Sequence, residues 1–245
     1  MANPLTRLFG VSRNEETWAA AAKWAKVSGH RFARSRDGSG FVVEPGQAGL
    51  GWRLEWGSPM RHYISSPELR LRAEVGDTDD LLMLVMTRQV MTLLEQQVFD
   101  EFTESTQTRM DDDTPEEMRW LVLYPKLPRS EMGVLRERIG ALSNLPRAAV
   151  RWLEGPLSEQ LNASSSWLAT DLPLALVMQR GRLTMRCATP QPQVQVLEAA
   201  LGLFDVALAA ARRVGLEVAR GTIGRDRPSS WGPASAMPAP ESTPG

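Results

Sequence analysis

The chain has 245 residues, of which 42% are apolar and 23% charged, enough for one ordinary domain or two small ones with a real core. Its 28 basic and 29 acidic residues nearly cancel, which disfavours a dedicated nucleic-acid binder and a protein held to membranes by charge. The single cysteine, Cys187, excludes an internal disulfide and a cysteine metal cluster and suits a reducing, cytoplasmic setting.

Residues 1–10 lack the apolar core of a secretory signal, and the longest apolar run, Leu81 to Met86, is far short of a membrane span. Only Lys23, Lys26 and Lys126 are lysines, so 25 of the basic residues are arginines, scattered along the chain as GC-rich codon usage would leave them.

In chain order, Asn14 is placed to cap a first helix that buries Trp18, Ala21, Ala22 and Ala25 and stops at Gly29. From His30 to Val75 the period shortens. Phe41 to Val43, Trp52 to Trp56 and Leu69 to Val75 read as strands, the last two alternating apolar with polar. Asp37-Gly38-Ser39-Gly40, Pro45-Gly46 and Gly57-Ser58-Pro59 are turn chemistry. Carboxylates at Asp77, Asp79 and Asp80 then suit the start of a long helix to about Phe102, with Leu82, Val85, Met86, Val90, Leu93 and Leu94 as its stripe. Thr103 to Asp113 reads as a loop. Thr114-Pro115-Glu116-Glu117 reads as a capped helix start, and the period leaves Trp120 to Tyr124 open between helix and strand.

Further on, the spacing predicts a helix from Ser130 to Leu142, a strand from Ala149 to Leu153 and a short helix from Leu157 to Ala163. Leu174 to Met178 and Leu183 to Cys187 form a hairpin about Arg180-Gly181. A last helix runs from Gln193 to Val214, ended by Gly215, and residues 225–245 have the composition of a disordered tail. The expected class is α+β. Small antiparallel sheets each pack on a long amphipathic helix, in units 1–110 and 111–223, with a tail at 224–245. Leu69, Leu71 and Ala73 match Leu183, Met185 and Cys187, and Leu82, Met86 and Leu93 match Leu197, Leu201 and Leu208, which suggests an internal duplication.

Catalytic chemistry is hard to assemble. The chain has two histidines, His30 and His62, and no nucleophile elbow, metal-ligand spacing or phosphate loop, so no catalytic residue, metal or cofactor is expected. Cys187 falls at an inward strand position, where a structural role is expected. Arg31, Arg34 and Arg36, followed by Asp37-Gly38-Ser39, resemble over about ten residues the arginine and Asp-x-Ser elements of PilZ-type cyclic dinucleotide receptors. The arginines lie closer to the aspartate than in that family, and Val42 stands where its closing glycine would be. An arginine-bearing turn at a sheet edge accounts for the same residues.

The candidate binding surface lies at the first sheet. Alternation puts Arg70 and Arg72 opposite Leu69 and Leu71, and Arg53 opposite Trp52. With Arg61, His62, Trp52 and Trp56 close in sequence, these residues form the expected site for an acidic partner or an anionic ligand. Cross-strand pairing with Glu55, Glu68 and Glu74 would produce the same pattern without a ligand. The reading is a non-enzymatic interaction or regulatory protein of a bacterial cytoplasm, its partner an unknown protein or a second copy of itself. The first alternative is a binder of small anions, the second a carboxylate enzyme using Glu55 or Glu68.

Overall fold

The computed structural model describes residues 17–47, 51–76, 78, 80–104, 115–169 and 171–223. The expected class is α+β, and so is the fold: one eight-stranded antiparallel sheet covered unequally by helices. Its strands are β1 (His30–Arg34), β2 (Phe41–Pro45), β3 (Trp52–Gly57), β4 (Glu68–Glu74), β5 (Met83–Thr87), β6 (Ile139–Ser143), β7 (Leu174–Gln179) and β8 (Arg182–Ala188). Their order across the sheet is β1-β2-β3-β4-β8-β7-β5-β6. The helices are α1 (17–27), α2 (Arg88–Glu104), α3 (Glu116–Leu123), α4 (Pro146–Leu153), α5 (Pro156–Ala163) and α6 (Val194–Ala219).

Two hairpin-rich stretches far apart in sequence therefore share one sheet rather than building two. The join is β4 against β8, where Leu69 faces Cys187, Leu71 faces Met185 and Ala73 faces Leu183. All six of these side chains are buried on the same face. That register lets the apolar rows of both halves run into one another.

One face of the sheet is roofed by α1, α4, α5 and α6. Trp18 of α1 packs edge-on against Phe41 and Trp56, while α6 lies over β4 and β8 and meets α4 and α5. By length and apolar composition α6 could cross a membrane, yet Leu197, Phe204, Ala207, Ala211 and Val214 along it are buried in this roof. The other face is covered only in part. Helices α2 and α3 pack Val90, Met91, Leu94, Met118 and Leu121 on Leu84, Met86, Leu142, Ala175 and Val177. Among the described residues no helix covers β1 to β4 there, and apart from Ala33 and Val42 the side chains that alternation puts on that face are mostly polar or charged.

Two glycines are required by close approach or conformation. A Cβ on Gly40 would lie 2.0 Å from the Trp56 carbonyl oxygen, so β2 reaches β3 only through glycine. Arg180 and Gly181, with φ of 49° and 69°, make the two-residue turn between β7 and β8, and the Gly181 carbonyl accepts the Val75 N–H at 2.7 Å.

Several expectations are corrected. The long helix predicted from Asp79 begins only at Arg88, because Met83 to Thr87 is a strand buried on both faces; Leu93, placed on its stripe, is 44% exposed. Ser130 to Leu142 is not a helix but two 3₁₀ turns, Arg129–Glu131 and Gly133–Leu135, followed by β6. Met132, Leu135, Ile139 and Leu142 are nonetheless all buried. Ala149 to Leu153 is helical, Trp120 to Leu123 continues α3, and Gly215 lies inside α6 against Thr78. The helix half of the suggested duplication fails, since Leu82 precedes a strand that contains Met86, whereas Leu197 and Leu201 are helical. Thr103 and Glu104, expected in a loop, end α2, and Asn14, Asp77, Asp79, residues 105–114 and the tail from 224 lie outside the described residues.

Candidate functional site

Strand alternation carries the predicted arginines to the uncovered face. Register pairs Arg53 with Arg72 and Glu55 with Arg70 across β3 and β4, and Arg70 with Arg186 across β4 and β8. Like charges placed opposite each other repel unless a counter-charge sits between them. Glu55 supplies it. One of its oxygens accepts Arg53 Nε at 2.5 Å and Arg72 Nη2 at 3.1 Å, and the other is bound by Arg70. Glu44 on β2 takes Arg53 Nη1 at 2.6 Å and lies 3.6 Å from Arg31 Nη2.

Burial works against the charge on Glu55, but the hydrogen bonds from Arg53 and Arg70 and the charges of Arg70 and Arg72 outweigh it and hold its pKa below the ordinary value. A carboxylate so held is a weak proton acceptor near neutral pH and a poor general base. Its partners are more open: the side chains of Arg31 and Arg72 are 72% and 43% exposed. Across the face six arginines (31, 53, 70, 72, 182 and 186) stand among four glutamates (44, 55, 68 and 74), and at the β1 to β4 end Arg31, Arg53, Arg72 and Arg182, with Glu44 and Glu74, border an open groove of about 550 Å³.

The other predicted residues do not join this face. Trp52 and Trp56 point to the opposite, roofed side, where Trp52 packs on His30 and Trp56 donates its Nε1 hydrogen to the Thr189 carbonyl at 2.8 Å. They adjoin the arginines in sequence, but strand alternation sends the two sets to opposite faces. Arg61 and His62 lie in the β3–β4 connection, turned toward α2 and α3. His62 Nε2 is 3.0 Å from Gln97 Oε1, and Arg61 Nε donates to Glu117 Oε1 at 2.8 Å.

That second contact opens a cluster that the sequence did not reveal. Glu117 is 1% exposed and its Oε1 also accepts Tyr63 O–H at 3.3 Å, while its Oε2 has no partner. Burial, with the Glu117 charge adding to it, pushes the Tyr63 hydroxyl far up, so it remains a donor. Nearby, buried Glu68 accepts Arg186 Nη1 at 2.5 Å and the Met60 N–H at 2.6 Å. The sequence reads Glu117 as the third residue of a capped helix start, but α3 begins at Glu116 with Pro115 at its N-cap and no side-chain cap, and Glu117 is buried against Arg61 and Tyr63 instead.

The stretch resembling a cyclic dinucleotide receptor closes the β1–β2 hairpin. Ser39 donates to Asp37 through both its hydroxyl and its backbone N–H, and with Ser35 it lowers the Asp37 pKa to about 2. Arg34 stacks over Trp18, 5.6 Å from the ring centroid, and so serves the packing of α1.

Cys187 is fully buried, and burial pushes its thiol up to about 12 from an ordinary 9. The folded protein is expected to resist Ellman's reagent at pH 8 and to release one equivalent of thiol on unfolding. Above pH 9 the unfolded chain gives up this proton while the native state keeps it, so stability falls as pH climbs toward 12. Rapid labelling of native protein would remove this reading.

No protein-family model matches the chain, and no curated protein matches it.

Proposed function

We propose that this chain is a non-enzymatic interaction protein of the cytoplasm that receives an acidic segment of a partner on the open half of its sheet. The supporting observation is the unequal roofing. One face is closed by four helices, whereas among the described residues no helix covers β1 to β4 on the other, where arginines are in excess. A sheet face left to water needs polar side chains but no bias of sign, and the bias is what favours an anionic partner. Glu55 and Glu44 hold the arginine stems in place and so limit the conformational entropy lost on docking. A buried free Cys187 agrees with a reducing compartment.

The test uses a fluorescent oligo-glutamate peptide. Anisotropy is expected to show saturable binding that weakens with salt and has no counterpart for oligo-lysine. Arg31→Ala, Arg72→Ala and Arg182→Ala combined remove only exposed or half-exposed side chains. At about 0.5 kcal/mol for each such charge the triple variant should bind about tenfold more weakly with unchanged melting. Equal binding by the triple variant would refute the assignment. The groove of about 550 Å³ favours a second reading, a small polyanion held by Arg31, Arg53 and Arg72. Saturable citrate binding that displaces the peptide would select it.

A further inference from the structure

A second cleft of about 510 Å³ lies away from this face, at the end of the sheet where β5 runs directly into α2. Thr87, the last residue of β5, stands immediately before the first residue of α2, the position from which a threonine ordinarily caps a helix. It caps nothing: the side chain is 5% exposed, borders the cleft, and its Oγ1 is shielded from water with no hydrogen-bond partner. An unpaired buried hydroxyl is a standing cost, and a helix start is a positive electrostatic end.

The walls add charge. Arg88 gives its Nε hydrogen to the Arg136 carbonyl at 3.0 Å and its Nη2 hydrogen to the Ile139 carbonyl at 2.8 Å. Arg138 Nη1 donates to the Asn162 carbonyl at 3.1 Å. These acceptors position both guanidinium groups without neutralising them, and among the described residues neither forms an ion pair with a carboxylate. On the same rim stand Glu137, engaged by Arg129 and Arg136, and Asp171.

We propose that this cleft binds a small phosphorylated molecule that also carries hydroxyl or amine donors, a sugar phosphate by chemical class. The phosphate lies at the start of α2 between Arg88 and Arg138, and rotation of the Thr87 side chain toward the cleft gives it the hydroxyl as a donor. The donors of the remaining part meet Asp171 and Glu137. The volume exceeds what a bare phosphate fills and falls in the range of small-ligand sites.

Glucose 6-phosphate, inorganic phosphate and glucose are titrated separately into the full chain and followed by calorimetry. Glucose 6-phosphate is expected to bind, phosphate more weakly, and glucose not at all. Thr87→Val keeps the side-chain shape and deletes the orphan hydroxyl. It should raise the melting temperature of the ligand-free protein while weakening glucose 6-phosphate at least about tenfold, or about 1.4 kcal/mol. A purely structural threonine would not move both readouts in these directions. Arg88→Gln provides the second variant and should also weaken binding. Absence of glucose 6-phosphate binding, or binding unchanged in Thr87→Val, overturns the site. Phosphate binding as tight as glucose 6-phosphate overturns the role given to the acidic rim.

Discussion

Replacing Arg61 with alanine is expected to destabilise the protein by about 3 kcal/mol, the lower end of what removing one partner of a buried ion pair costs. The magnitude follows from what remains. Glu117 is 1% exposed, its Oε2 already lacks a partner, and without Arg61 its Oε1 would keep only the long bond from Tyr63. Exchanging Arg61 and Glu117 together for leucine and methionine should restore most of the loss, because the buried charge goes with its partner. Urea unfolding of Arg61→Leu, Glu117→Met and the double variant measures this as a cycle. Additive single losses would show that the contact at 2.8 Å carries no coupling. The cluster joins the β3–β4 connection to α3, so the same variants test whether the covered half of the second face depends on it.

How much of this was legible in the sequence depends on burial. Strands buried on one face announced themselves: Arg53 and Glu55 alternate with Trp52, Leu54 and Trp56, and Arg70 and Arg72 with Leu69 and Leu71. Strands buried on both faces did not. In β5 Met83 and Val85 serve one core and Leu84 and Met86 the other, so no polar residue marks the period, and a helix stripe fits as well. Strand β6 is likewise buried at every position, and the 3₁₀ turns before it space Met132 and Leu135 three apart, as a helix would.

The join of β4 to β8 spans more than a hundred residues, and nothing local encodes it. For the candidate site, alternation located Arg53, Arg70 and Arg72 on one face, and of the three glutamates offered as cross-strand partners, Glu55, Glu68 and Glu74, it is Glu55 that binds all three arginines. Arg61 and His62 lie in a connection without period, so their direction was not readable. Thr87 was hidden inside a segment that read as helix, and with it the cleft.

Trp152→Ala should be the most damaging single change on the roofed face, at about 3–5 kcal/mol. The ring is fully buried, sits on α4, and donates its Nε1 hydrogen to the Ala207 carbonyl of α6 at 3.0 Å. It is thus both the largest piece of packing between these helices and a polar pin that sets how α6 lies on β4 and β8. Trp152→Phe separates the two contributions: most of the volume stays, the hydrogen bond goes, and the loss should be nearer 1 kcal/mol plus a smaller term for the unfilled space. Chemical denaturation gives both numbers, and equal losses for the two variants would mean the hydrogen bond, not the volume, dominates. The proposed arginine surface points the opposite way from this roof. Trp152→Phe, still folded, should therefore bind oligo-glutamate as the unaltered protein does. Loss of that binding would show that the open face takes its shape from the helices behind it rather than from the strand register and the Glu55 network alone.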